Sequence, residues 1–551
     1  MRYLRKIKVW LIFGFFLFLN WLILRPVLIG PDVFFPAHDA TWLVRLQQFD
    51  KTISLGQFPP RLAPDMAYGF GYPLFKYYAP LFIFLSWFIF KIIGDYALSL
   101  LLAVFLGNLI GSWGMFYLAR RFWGFWGGLV ASVAFIFLPF RALDIFVRAA
   151  LSEILAINLL PFWLYFFIRL TKDRFNKKIV IGFILSSLSL LLAHNLFLII
   201  LAYCLPILII YFLTQAVNLK KRFLLVFGST FLILSLAAWF WLPAIIDLGR
   251  VGALTQATKT NFVDHFVYLT QLWDWSWGFG GSTPGLADGI SFRIGKIQIV
   301  LALAGLFFAL LERKKRKTIA MLFLLCCWGL FLSLSWSAPL WQTLPFLPIV
   351  QFPWRFLGLA TPIIAFFSGG VVAGGKNRPC LNKILTPPLA LLAIFFLGYF
   401  NLKYFQPQMI IAEAKSYYLE REKIWESAQA AAEFYPAGTI VRPKAKPDWP
   451  LTLSNNQTAE LVADTPFKII FRLNNPGQVT VNRFYLPGWQ LNFVDNNEPI
   501  AIKGEKETGR IKFWANNSGE YELSFVTTFW EKIAYALTIL GLIILLIIFI
   551  F

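Results

Sequence analysis

Long apolar runs punctuated by short basic or aromatic-polar stretches dominate this sequence. Thirteen runs, of roughly the length that crosses a bilayer's hydrocarbon, fall near 9–29, 79–93, 97–118, 126–142, 150–169, 179–193, 196–215, 223–244, 297–311, 318–336, 355–375, 384–402 and 529–551. The run over 79–93 differs from the others, because it is short, carries Pro80 and Lys91, and is followed at once by Gly94 and Asp95. After residue 403 the pattern changes. It reads as helical through Ala432, and then alternates at period two in Phe467–Leu473, Gln478–Asn482, Gly509–Trp514 and Tyr521–Val526, between Asn and Gly turns. Such alternation predicts a small antiparallel sandwich.

Charge decides which way the runs cross. Orientation follows the Lys and Arg content of short loops, and the basic clusters are Arg120/Arg121, Lys172/Arg174/Lys177/Lys178, Lys220/Lys221/Arg222, Arg313 to Lys317, and Lys376/Arg378/Lys383. With a cytoplasmic N-terminus, all five share the cytoplasmic side only if 79–93 does not cross. The expected fold class is therefore an α-helical polytopic membrane protein, with about twelve transmembrane helices, one interfacial helix and a C-terminal extracytoplasmic β-sandwich. The expected domains are a transmembrane domain over 1–402 with outer loops 30–96 and 247–296, an extracytoplasmic helical segment and sandwich over 403–528, and a last transmembrane helix over 529–551.

Composition agrees. The chain is 58% hydrophobic and 14% charged, against roughly 25% charged in soluble domains. Its 50 Lys and Arg against 28 Asp and Glu would suggest nucleic acid in a soluble protein. Here they punctuate apolar segments, so the expected partner is the bilayer and not nucleic acid. Cys204, Cys326, Cys327 and Cys380 lie in or beside apolar segments and form no CxxC site or disulfide framework. Arg2, Arg5, Lys6 and Lys8 ahead of the first run resemble a signal peptide, but no small-residue cleavage site follows, which predicts an anchor in the plasma (inner) membrane.

The runs hold few ionisable groups, which leaves an ion-coupled transport mechanism little to work with. Polar residues gather instead on the predicted outer surface: His38, Asp39, Arg45, Arg61, Asp65 and Lys76 in the first loop; Arg141, Asp144, Arg148 and Glu153 at the next tip; and Gln351-Phe-Pro-Trp-Arg355 later. Arg141, Arg148 and Arg355 occupy the side that is normally poor in basic residues, so something anionic is expected to compensate them. An arginine grips phosphate bidentately, and a carboxylate at the same surface can deprotonate an attacking hydroxyl. That combination suits a lipid phosphate-sugar donor, with Asp39 and Glu153 as the catalytic candidates. Each has a plainer reading, Asp39 as a solvated residue at the end of a span and Glu153 as a carboxylate favoured by a helix start. His194-Asn195 falls at an outer hairpin, where histidine more often caps or packs. His265 and Asp264 lie near Trp273, Trp275 and Trp277, which are first of all interfacial aromatics. Gly278-Phe-Gly280-Gly281 lacks the spacing of a phosphate loop.

Ala37-His38-Asp39, Leu55-Gly-Gln-Phe-Pro-Pro-Arg61, Tyr68-Gly-Phe-Gly-Tyr-Pro73 and Tyr77-Tyr-Ala-Pro80 resemble the bacterial membrane proteins of the 6-pyruvoyl-tetrahydropterin synthase-related family. Arg148-Ala-Ala-Leu-Ser-Glu153, Ala193-His-Asn195, Gln351–Arg355 and Glu433-Phe-Tyr-Pro436 resemble its later motifs, and Tyr485-Leu-Pro-Gly-Trp489 is similar to the C-terminal part of YfhO-type proteins. The label does not carry pterin chemistry with it, for His38, His194 and His265 are too scattered for a zinc-binding cluster. What the resemblance implies is the GT-C glycosyltransferase plan, with an acidic residue in the first outer loop, an interfacial helix after it and a second acidic residue in the next outer loop. Asp39 and Glu153 match those positions. Many relatives carry a paired acidic motif in the first loop where this chain has His38 before a single Asp39, so a divalent metal (Mg or Mn) held by Asp39 and Glu153 stays open.

The expected function is transfer of a sugar from a polyprenyl-phosphate donor to an extracytoplasmic envelope glycan or protein acceptor. Asp39 and Glu153 are the catalytic candidates, and His38, Arg61, Lys76, Arg148, His194 and Arg355 the substrate-binding ones. Two other classes fit the same sequence, a non-catalytic protein that binds or organises envelope glycans and a flippase or channel.

Overall fold

A computed structural model describes the chain except for residues 1, 258–259, 311–314, 374–383, 431, 455–456 and 551. Lys376, Arg378, Lys383, Cys380 and Arg313 fall outside the described residues. The protein is a mostly helical, multi-pass membrane protein with antiparallel sheets near its C-terminus. Among the described residues, six helices are long and apolar enough to cross a bilayer, or eight if each of two bent pairs counts as one span. Shorter apolar helices are Val9–Leu24, Leu81–Ile93, Leu205–Gln215 and Lys296–Leu310. The longest helix, Tyr96–Ile136, is interrupted at Gly124, whose φ of 78° and ψ of −171° leave the helical region. Only glycine adopts that conformation without steric cost, and the break falls between the apolar runs 97–118 and 126–142, beside Arg120 and Arg121.

By compactness the chain forms two units. The first comprises Met1–Ala40, Phe84–Ile233 and Asn261–Ala414. Its helices pack closely where they cross: a Cβ on Gly305 of Lys296–Leu310 would collide with the Phe367 carbonyl oxygen of the helix over Pro353–Val372. The pair Lys177–Ala193 and Asn195–Ala202 bends by 119° at His194. Cys204 and Cys326 are buried free thiols and Cys327 an exposed one.

The second unit comprises Thr41–Ile83, Leu234–Thr260 and Lys415–Phe551. It opens with the helix Trp42–Ser54, which buries Trp42, Leu43, Leu46 and Phe49. Arg45, Gln47, Gln48, Asp50 and Lys51 interrupt its apolar positions, so the first loop reads as an irregular stretch in sequence. Its C-terminal part holds a four-stranded sheet, ordered 451–453, 477–484, 510–515, 503–504, and a five-stranded one, ordered 459–465, 468–473, 519–525, 489–493, 498–500. All pairings are antiparallel. Alternate residues Ile469, Phe471 and Leu473 of one sheet and Ile511, Phe513 and Ala515 of the other are buried. The Phe471 and Phe513 rings meet at 6.2 Å across the two sheets. Period-two burial on facing sheets is the physical basis of the sandwich.

Candidate functional site

The site grows from the connection between two spans of the first unit. Pro139–Ala142 makes one helical turn and Leu143–Val147 a wider one, and the chain then kinks at Ala149, which has a φ of +47°. A non-glycine residue in the left-handed region carries a local cost of about 1 kcal/mol, and such residues concentrate where geometry is imposed by function. The kink delivers Glu153 into the first turn of the helix Leu151–Lys172, where the helix dipole favours a carboxylate.

Arg148 joins two carboxylates there. One guanidinium nitrogen donates to Asp144, and Nη2 donates to Glu153 Oε2 at 2.8 Å. Arg355 approaches the same Glu153 oxygen from another element, with its Nε at 3.6 Å. The Arg148 guanidinium lies 4.2 Å from the centre of the Trp354 ring, and Trp354 is in turn stacked by Phe292 at 5.4 Å and Phe352 at 5.0 Å. Gln351, with a φ of +67°, turns the chain into this wall, and Arg355 Nη1 donates to the Val350 carbonyl at 2.9 Å. Asp144, Arg148, Glu153 and Trp354 are all buried. Burial pushes the Asp144 carboxyl up to about 7, although Arg148 draws it down. Burial also works against the charge on Arg148, but Glu153 and Asp144 outweigh it and hold the guanidinium more firmly protonated than usual.

Three polar atoms of this cluster, Glu153 Oε1, Asp144 Oδ2 and Trp354 Nε1, are buried and have no hydrogen-bond partner among the described residues. A buried polar atom left so costs about 1–3 kcal/mol, and the cluster holds three of them within one set of contacting side chains.

Asp39 and His38 reach the same connection through the backbone. The His38 amide donates to the Val147 carbonyl and the Asp39 amide to that of Arg148, both at 3.0 Å. Asp39 is half-exposed and His38 exposed, with His38 Nε2 3.2 Å from the Phe279 carbonyl. His194 caps the helix Asn195–Ala202, its Nδ1 accepting from the Phe197 amide at 3.2 Å, and the charges of Glu153, Arg355 and Arg148 act on its ring. Asp39, Glu153, His38, Arg148, His194 and Arg355 thus all belong to the first unit. Arg61 and Lys76 belong to the second, where Glu531 accepts from Arg61 at 2.7 Å and Asp247 from Lys76 at 2.6 Å.

Two members of the cluster had no role in the sequence reading. Asp144 stands four residues before Arg148, a helical ion-pair spacing that could have flagged it, and Trp354 lay inside a recognised motif. Arg141 departs from expectation. Instead of an anion, it meets Asn108 Oδ1 at 2.7 Å, Asn158 Oδ1 at 2.9 Å, the Phe135 carbonyl at 2.9 Å and the Phe135 ring at 4.2 Å.

A divalent metal does not suit the buried cluster. Both carboxylates already share Arg148, Arg355 adds a second positive charge, and the described residues hold no group of three His, Cys, Asp or Glu side chains arranged for a metal.

No curated protein matches the sequence. Among solved structures, the chain is similar to the arabinofuranosyltransferase AftD from Mycobacteria (14% identity, TM-score 0.45, 73% of this chain and 27% of that one). It is also similar to the Archaeoglobus fulgidus oligosaccharyltransferase tethered to an acceptor peptide (13%, 0.45, 81% and 61%), and to ArnT from Cupriavidus metallidurans bound to undecaprenyl phosphate (12%, 0.28, 73% and 89%). The chain spans about a quarter of the length of AftD. Residues 75–402, more than half of the chain, match the 6-pyruvoyl-tetrahydropterin synthase related domain of membrane proteins, and the chain belongs to that family.

Proposed function

We propose that the protein is a membrane glycosyltransferase that moves a sugar from a polyprenyl-phosphate donor to an acceptor outside the cytoplasm, with inversion. Asp39 accepts the proton of the acceptor hydroxyl, the acceptor oxygen bonds to the anomeric carbon, and the bond from that carbon to the phosphate oxygen breaks, releasing polyprenyl phosphate. Glu153 orients the acceptor. Arg355, half-buried, holds the phosphate, and Arg148 holds Glu153 in place. The substrate class comes from the resemblance in the first-loop motifs. What supports the roles is the backbone hydrogen bond that ties Asp39 to Arg148, the residue that grips Glu153. The test is incubation of purified protein with a panel of polyprenyl-phosphate sugars and envelope acceptors, reading release of polyprenyl phosphate. No release from any pair, in a preparation shown to be folded, would sink the reading and leave a non-catalytic glycan-binding protein.

Arg355→Lys keeps the charge but loses the planar two-point fork. Donor affinity is expected to fall about tenfold, one lost phosphate hydrogen bond at roughly 1.4 kcal/mol per decade. Unaltered donor binding in both Arg355→Lys and Arg355→Ala would make Arg355 an interfacial anchor only.

The reading also requires twelve spans with the 79–93 helix lying at the surface, so that the basic loops are cytoplasmic and 403–528 outside. In a cysteine-free background, a cysteine at Lys315 should stay unlabelled by an impermeant thiol reagent in intact cells, while one at Asn475 reacts. The opposite pattern would invert the topology and move Asp39 to the cytoplasmic face.

A further inference from the structure

We infer that the Asp144–Arg148–Glu153–Trp354 cluster is a binding site for the hydroxyl groups of a neutral sugar, with Glu153 Oε1 and Asp144 Oδ2 as acceptors and Trp354 Nε1 as donor. The charge balance selects the guest. Asp144 and Glu153 carry two negative charges when ionised, and Arg148 and Arg355 two positive ones. Both carboxylates sit on Arg148, so a phosphate placed on their unmatched oxygens would meet two carboxylates, and a metal ion there would meet two guanidinium groups; the donor phosphate proposed for Arg355 is a separate contact. What the cluster lacks is hydrogen bonds. Its unmatched atoms are two acceptors and one donor, all buried, and sugar hydroxyls supply both donors and acceptors at short spacing.

The aromatic wall limits how the sugar can bind. One face of Trp354 carries the Arg148 guanidinium at 4.2 Å, and Phe292 and Phe352 stack on the indole. The ring faces are therefore occupied, and the indole N–H edge is what it offers. Recognition by hydrogen bonds at that edge, rather than by stacking, makes the site sensitive to hydroxyl configuration. Arg148 becomes a positioning residue: with its guanidinium engaged by two carboxylates, it fixes Glu153 Oε2 and Asp144 Oδ1 and leaves their second oxygens for the guest. The inference rests on the transferase reading only in taking the hydroxyls for those of the sugar acceptor.

The test uses the full chain in lipid nanodiscs, because many detergents are themselves glycosides, and follows the thermal midpoint during titration with a panel of methyl pentosides and hexosides. At least one glycoside is expected to raise the midpoint of the parent. Its apparent affinity should fall tenfold or more in Trp354→Phe and in Asp144→Asn, and inorganic phosphate should not compete with it. Trp354→Phe keeps an aromatic face under Arg148 and removes the N–H, so it serves even if Asp144→Asn does not fold. Absence of any glycoside response in the parent, an unchanged response in Trp354→Phe, or displacement by phosphate would each overturn the proposal. Glycoside binding without release of polyprenyl phosphate would remove the transferase reading and leave the site standing; transfer without glycoside binding would do the reverse.

Discussion

Asp39→Asn is expected to lower sugar transfer by about 10²- to 10⁴-fold, the usual loss when a general base is removed, with the fold and donor binding nearly intact. The amide isostere keeps the backbone N–H that bonds the Arg148 carbonyl, so the first loop stays fastened to the connection that carries Arg148 and Glu153. What the asparagine cannot do is take the acceptor's proton at neutral pH. The comparison is Asp65→Asn in the same loop. Asp65 accepts from Lys51 Nζ at 2.7 Å and Gln48 Nε2 at 2.8 Å in a half-exposed setting, and losing such an ion pair costs about 0–1 kcal/mol, so transfer should stay near the parent's rate. Equal activity of Asp39→Asn and the parent removes Asp39 from the chemistry. Equal loss in both variants points instead to a loop held together by its charges.

Arg148→Met is expected to destabilise the protein by about 3–5 kcal/mol, the cost of removing one partner from a buried ion cluster. Methionine fills most of the arginine's length but removes the guanidinium that bridges the buried Asp144 and Glu153, leaving Arg355, 3.6 Å from Glu153, as the remaining ion-pair partner among the described residues. A fall of several degrees or more in the thermal midpoint is the readout. Adding Asp144→Asn removes one of the stranded charges, so the double variant Arg148→Met/Asp144→Asn should recover part of the loss. The coupling energy of that cycle measures the pair directly. A single Arg148→Met variant as stable as the parent would show that the cluster is not an ionised one.

Much of the architecture follows from the order of residues alone. Apolar runs must satisfy their backbone hydrogen bonds internally in lipid, so the helices of the membrane part are written in composition. The four alternating segments around Phe467–Leu473, Gln478–Asn482, Gly509–Trp514 and Tyr521–Val526 emerge as strands 468–473, 477–484, 510–515 and 519–525, because period two is a local property of the chain. The family, too, was legible in short motifs; those at Tyr77–Pro80, Arg148–Glu153, Ala193–Asn195 and Gln351–Arg355 fall inside the match over 75–402 that shows it.

Tertiary structure decided what depends on partners distant in sequence. The strands over 451–453 and 489–493 are short and take their state from the neighbours they pair with. The helix Trp42–Ser54 is amphipathic rather than apolar, and its burial comes from what packs on it. Three arginines looked alike in sequence, each short of a counterion, yet they ended differently: Arg141 among amides and an aromatic ring, Arg148 between two carboxylates, and Arg355 on backbone carbonyl, glutamine and Glu153. A sequence fixes which charges exist and roughly how deep they lie. Which of them neutralise one another, and which polar atoms are left wanting a partner, is set at distances of 3 to 4 Å between segments up to two hundred residues apart, where only folding brings them within range of a hydrogen bond.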